Sequence, residues 1–151
     1  MNSYPATRAN RGLDVVVSGT ASDSHTWNLL YLQLFLTERG HRVVNVGACV
    51  PDRLLVAECR RHGPQLIVLS SVNGHGFTDG ARVIGPLRRV PELAGTAIVI
   101  GGKLGTGDQD GERAIGELLA LGFDAVFHRP DSMAPFEAFL GSLPEPVTVP
   151  C

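Results

Sequence analysis

In the segment Ser22-Asp23-Ser24-His25 a carboxylate and an imidazole stand two residues apart. Within a turning loop, that spacing lets Asp23 accept a hydrogen bond from one ring nitrogen of His25 while the other nitrogen faces a metal. A carboxylate behind a ligating histidine orients the ring and strengthens it as a ligand. His25 is thus the candidate metal ligand and Asp23 its orienting group, with Ser22, Ser24 and Thr26 in the same segment. Two further segments are rich in small and polar residues: Ser70-Ser71-Val72-Asn73-Gly74-His75-Gly76 and Gly101-Gly102-Lys103-Leu104-Gly105-Thr106-Gly107. So many glycines would admit close backbone approach by a bulky planar or chain-like ligand. Ser70, Val72, Asn73, Gly74 and Gly76 therefore join the candidate binding set, with Gly101, Gly102 and Lys103. Lys103 is the only lysine of the chain; it fits a solvated loop and could also meet a ligand amide or a partner.

The elements that must hold these segments read as an alternation of strands and helices. Runs 13–18, 41–46, 66–70, 97–100 and 124–127 are mostly continuous Val, Ile and Leu, as expected of strands buried on both faces of a parallel sheet. Between them, 26–39, 52–62 and 112–121 carry helical patterns, and 132–140 is expected as a last helix. Gly40 and Gly122 are expected just past helix ends, and Pro51 in a first helical turn. The segment 78–89 is a weaker helix because Gly80, Gly85 and Pro86 interrupt it. Five strands in this alternation predict an α/β fold, a flavodoxin-like doubly wound parallel sheet of order 2-1-3-4-5. In such a sheet ligands bind beyond the carboxyl ends of the strands. All three unusual segments follow a strand at that edge, whereas the connections around Gly40 and around Gly63-Pro64, at the opposite edge, are tight. A large ligand is expected at the long-loop edge.

The 151 residues, 44% hydrophobic and 19% charged, suit one packed domain. It is expected at 13–141, between a polar, flexible arm at 1–12 and a proline-bearing tail at 142–151. A net charge of −2 offers no basic face for nucleic acid. Cys49, Cys59 and Cys151 form no C-x-x-C pair or zinc spacing, so they read as reduced packing residues. No window reaches the roughly 18 apolar residues of a membrane span, and the first eleven residues lack an apolar signal run. The cytoplasm is the expected location.

The three segments, in this order and each at the end of an expected strand, resemble the B12-binding domain family, whose motif runs D-x-H-x-x-G, then S-x-L, then G-G. Asp23-Ser24-His25 fits the first element, Ser70-Ser71-Val72 the second with Val for Leu, and Gly101-Gly102 the third. Asn28 stands where the first element ends in Gly. The resemblance covers nearly all of 13–140. It implies that cobalamin binds base-off, with His25 replacing the cofactor's own dimethylbenzimidazole as lower axial cobalt ligand. Asp23 would orient His25, Ser70 would hydrogen-bond the displaced base, and Gly101-Gly102 would line the tail in a slot between the sheet and the first helix. Asn28 would stand at the entrance of that slot.

Within this family the chain resembles the small subunits of methylaspartate (glutamate) mutases. The shared patterns are Gly-x-x-Ser-Asp-x-His at 19–25, Val-Val-Asn-x-Gly at 43–47, Ser-Ser-x-x-Gly-x-Gly at 70–76 and Leu-Gly-Phe-Asp at 121–124. This similarity implies adenosylcobalamin as cofactor and a hetero-oligomer with a large barrel-type subunit that carries the substrate site. Such an isomerase converts glutamate to 3-methylaspartate, is inactive without the large subunit, and needs no catalytic acid or base from this chain. The alternatives are a cobalamin carrier or sensor, or the corrinoid protein of a methyltransferase system. Corrinoid methyltransferase proteins usually carry a helical bundle before the domain, so the twelve residues preceding it here favour the mutase subunit.

Two relatives in topology are weaker. Ser18-Gly19-Thr20-Ala21-Ser22 resembles a flavodoxin phosphate loop but is interrupted by Ala21, and a phosphoacceptor receiver needs Asp where Ser70 and Ser71 stand. In the first helix, Trp27, Leu30, Tyr31, Leu34 and Phe35 form an apolar stripe that Leu29, Leu32 and Leu36 extend. A helix apolar nearly all round is expected to be buried on more than one side, within the domain, against the cofactor tail or against a partner.

Overall fold

Valines and isoleucines on successive positions of one strand have side chains on opposite faces of its sheet, and here both faces are covered. In the computed structural model, which describes residues 12–106, 111–128 and 133–144, β1 (Asp14–Gly19), β2 (Arg42–Gly47), β3 (Leu66–Ser70), β4 (Ala97–Gly101) and β5 (Ala125–Phe127) form one parallel sheet of order β2-β1-β3-β4-β5. Val15, Val17, Leu66, Val68 and Val99 face one core together with α1 (Trp27–Glu38) and α5 (Met133–Ser142). Their sequence neighbours Val16, Ile67, Leu69, Ile98 and Ile100 face the other, packed by α2 (Asp52–His62), α3 (Gly76–Arg88) and α4 (Gly111–Leu121). The expected fold class and strand order are those observed.

Element ends follow local chemistry. Gly40 takes φ 85° after α1, and the His41 N–H reaches back to the Leu36 carbonyl, closing the helix. Gly122, with φ 130°, closes α4 in the same way through Phe123 and Leu118. Pro51 sits one position earlier than expected, just before α2, with ψ 145°. The weaker helix is complete: α3 begins at Gly76 and carries Pro86 in its last turn. Gly80 packs α3 closely on the sheet there, since a Cβ would press on the end of the Ile100 side chain at 2.8 Å. A short 3-10 turn at Pro91–Leu93, not expected from the pattern, leads into β4. The expected arm and tail lie, apart from Gly12 and residues 142–144, outside the described residues, as do Gly107, Ser132 and Cys151.

Of the covers expected for the apolar sides of helix α1, the domain supplies one. Leu29 and Leu36 are buried against the sheet, but Trp27, Leu30, Tyr31 and Leu34 lie on an exposed face, Trp27 at 80%. No described helix is long and apolar enough to cross a membrane.

Candidate functional site

Strand order reverses between β1 and β3, so the loops leaving their carboxyl ends diverge and open a crevice. Asp23 spans it. Its side chain is buried, and its Oδ1 accepts the His25 backbone N–H at 2.9 Å and the ring Nδ1 at 2.6 Å. Its Oδ2 accepts the backbone N–H of Val72 at 2.6 Å and of Asn73 at 3.2 Å. The bond to the His25 backbone is an Asx-type turn, the local conformation that Asp favours in loops. Burial pushes the Asp23 carboxyl up, and the hydrogen bonds from His25, Val72 and Ser71 outweigh it, leaving the group below its ordinary range. An ionised carboxylate only accepts, so the proton of a neutral His25 sits on Nδ1 and the Nε2 lone pair is free. The ring is 56% exposed, which leaves that nitrogen open to a ligand.

A second buried carboxylate holds the loop from behind, and sequence reasoning missed it. Asp79, from α3, accepts the Ser22 hydroxyl at 2.5 Å and the Ser22 backbone N–H at 3.2 Å on Oδ2. Arg82 donates to Asp79 Oδ1 at 3.1 Å and grips both oxygens of Asp52 at 2.6 and 3.2 Å. The only signal in sequence was an acid three residues before an arginine on one helix. Nothing in that spacing points at Ser22.

The remaining candidates divide by role. Asn73 donates to the Ser22 carbonyl at 3.0 Å and accepts the His75 backbone N–H at 3.0 Å, so it shapes both loops. Gly102 has φ 114°, and a Cβ there would overlap the Ser71 carbonyl oxygen. A Cβ on Gly76 would lie 2.5 Å from Leu104. These two glycines are therefore demanded by one loop packing on another, a reason distinct from ligand approach. Gly74 donates to the Lys103 carbonyl at 3.3 Å, and Gly101 accepts the Ser71 N–H at 3.1 Å, tying the second and third segments together. Ser24, Thr26 and Lys103 are exposed at the same edge. His128 accepts the Leu104 N–H at 3.1 Å on Nδ1 and props the third segment, another contact not foreseen.

Behind Ser70 lies an apolar cavity of about 60 Å³, lined by Leu32, Val68, Val99, Phe127, Met133 and Phe136 among others. It sits between the sheet and helices α1 and α5, and Ser70 and Gly101 bring it to the carboxyl edge. The Ser70 hydroxyl accepts a hydrogen bond from Asn28 Nδ2 at 2.5 Å. Among the described residues Asn28 Oδ1 is buried without a partner. Among the described residues no group of three or more His, Cys, Asp or Glu could hold a metal ion.

The family model described as B12 binding domain matches residues 13–129. The chain is 31% identical over 113 residues to the glutamate mutase sigma subunit of Halobacterium salinarum, covering 75% of this chain and 74% of the relative. It is 29% identical over 126 residues to that of Carboxydothermus hydrogenoformans, covering 83% and 90%. Among solved structures, a cobalamin-binding protein from Desulfitobacterium hafniense superposes with a TM-score of 0.69 at 16% identity over 89% of this chain, which spans 60% of that longer protein. The chemotaxis response regulator CheY4 of Vibrio cholerae superposes with a TM-score of 0.61 at 13% identity, covering 85% of this chain and 98% of the regulator. Both likenesses show the fold. Serines 70 and 71 at the end of β3 separate this chain from a phosphoacceptor within it.

Proposed function

The chain belongs to the B12-binding domain family, and from that premise we propose that it is the cobalamin-binding small subunit of an adenosylcobalamin-dependent carbon-skeleton mutase, working in the cytoplasm with a large barrel-type subunit on the interconversion of glutamate and 3-methylaspartate. The observation that carries the cofactor assignment is His25, held by buried Asp23 with Nε2 free at the carboxyl edge. One imidazole is a complete protein contribution for a cobalt ion whose equatorial ligands belong to a macrocycle. The site fits the group in two further respects. The second and third segments present backbone at the same edge, and an apolar cavity with an unpaired polar atom beside it runs inward where a nucleotide tail would enter.

The chemistry supplied by bound adenosylcobalamin is homolysis of a cobalt–carbon bond. The chain's own work is positional. His25 would ligate the cobalt, Asp23 would fix its tautomer and basicity, and Asp79 through Ser22 would hold the loop that carries both. Val72, Asn73, Gly74 and Gly76, with Gly101, Gly102 and Lys103, would line the bound cofactor. The glutamate substrate and the large subunit come from the kinship with glutamate mutase sigma subunits.

Absorbance titration with cobalamin tests the first half of the reading. The expected spectrum is base-off with histidine coordinated, and His25→Ala is expected to lose that coordination. A base-on spectrum, or undiminished binding by His25→Ala, would overturn the assignment. Mixing the loaded chain with glutamate mutase large subunits tests the second half. Glutamate rearrangement supports the mutase; cobalamin binding with no turnover beside any such subunit would leave a carrier and sink the mutase.

A further inference from the structure

Asn28 stands in the first turn of α1, at the edge where the cavity behind Ser70 opens. Its Nδ2 is bonded to the Ser70 hydroxyl, and one helical turn further on Leu32 lines the cavity wall. Any group that enters the cavity beside Ser70 meets the Asn28–Ser70 bond. The Asn28 amide is thus already joined to the one hydroxyl in the cavity lining.

From this geometry we propose that Asn28 is a specificity-determining latch on the slot, which removes the advantage that a nucleotide tail would otherwise give a corrinoid bound at His25. The inference rests on the cobalamin reading above and concerns which corrinoids the site prefers. Ser70 has been given two partners, the amide of Asn28 and the incoming base, and they compete. A tailed corrinoid must break the Asn28–Ser70 bond and displace the side chain before its base is held; a corrinoid without a nucleotide need only reach His25. The unpaired Oδ1 of Asn28 works against a permanent lock, since opening the slot lets that oxygen meet water. The latch is therefore a movable one, and the ligands available to the protein decide its position.

The test compares cobalamin with cobinamide, which lacks the nucleotide, by absorbance titration of the full chain and of Asn28→Gly and Asn28→Ala. The ratio of cobinamide Kd to cobalamin Kd measures the preference for a tail. It is expected to rise about tenfold in both variants, the scale of one hydrogen bond, with the cobinamide Kd unchanged. Circular dichroism checks that the variants fold; the Ala variant keeps a helix-favouring residue if Gly loosens α1. Ser70→Ala completes a double-mutant cycle. It is expected to lower the ratio in the Asn28→Gly background and to leave it little changed alone. An unchanged ratio in the Asn28 variants, or a fall that would make Asn28 a partner of the tail, overturns the latch while leaving the cobalamin reading intact. Failure of the unaltered chain to bind either corrinoid overturns the cobalamin reading and the latch with it.

Discussion

Asp23 Oδ2 lies 2.6 Å from the backbone nitrogen of Val72, joining the loop after β1 to the loop after β3 across the crevice where strand order reverses. The other oxygen of the same carboxylate holds the His25 ring. One buried side chain thus sets both the orientation of the candidate ligand and the spacing of the two loops. The stability of Asp23 and His25 variants should therefore differ sharply. Asp23→Ala strands buried donors and is expected to cost about 1.5–3 kcal/mol, as for hydrogen bonds to charged groups. His25→Ala, at an exposed ring, should stay within about 0.5 kcal/mol. Urea unfolding of the two variants measures both, and equal shifts would refute a structural role for Asp23.

Asp79 gives this fold a dependence on acid. Burial raises its carboxyl, but bonds from Ser22 and Arg82 prevail and hold it below its ordinary value. A carboxyl depressed by folding contributes stability that is complete above its unfolded value, about 4, and is lost as pH falls through the lower folded value. Asp79→Asn is expected to cost about 1.5–3 kcal/mol at neutral pH, with the gap to the unaltered chain narrowing below about pH 4. A gap of constant size from pH 7 to pH 3 in unfolding titrations would remove Asp79 as its source.

Two glycine substitutions should have opposite signs. Gly102 combines φ 114° with a Cβ position that overlaps Ser71, so Gly102→Ala is expected to destabilise by about 1–3 kcal/mol or more. Gly116 is exposed in the interior of α4 with open space around its Cβ position. Gly116→Ala should stabilise by about 0.5–1 kcal/mol through helix propensity and reduced freedom of the unfolded chain. Thermal melts of the pair decide the matter.

The exposed face of α1 can be followed through its own fluorophore, since Trp27 is the only tryptophan. At 80% exposure its emission in the free chain should be that of a solvated indole and readily quenched by acrylamide. Leu34→Ala, on the same face, should change stability by less than about 0.5 kcal/mol, whereas Leu36→Ala, fully buried, should cost about 2–5 kcal/mol. A blue-shifted, protected Trp27 in the monomeric chain would contradict the exposed stripe.

Cysteine labelling separates the two described thiols. Cys49 is exposed in the loop after β2, while burial pushes the Cys59 thiol up to about 12. Thiolate is the reactive form, so peptide mapping after brief alkylation at neutral pH should find Cys49 modified and Cys59 intact; early modification of Cys59 would show that the α2 face of the core opens readily.

The sheet and its strand order were readable because continuous Val, Ile and Leu runs separated by helical patterns leave few arrangements that bury both faces of each strand. The placement of Asp23, His25, Ser70 and Gly102 on one edge followed from that order, since loops after parallel strands share an edge. Local periodicity could determine no more than this. The bond from Asp23 to Val72 joins residues 49 apart in sequence, and the bond from Asp79 to Ser22 spans 57; neither leaves a trace in spacing. Gly102 is small because Ser71 lies against it, a fact of loop packing. The cover of the α1 stripe stayed open between the domain, a cofactor tail and a partner, because sequence records that a residue is apolar and not what lies against it. What tertiary structure alone decided was which polar groups meet. Asn28 read as a motif residue replaced; folding brings its amide to Ser70, 42 positions away, beside the cavity that Ser70 lines.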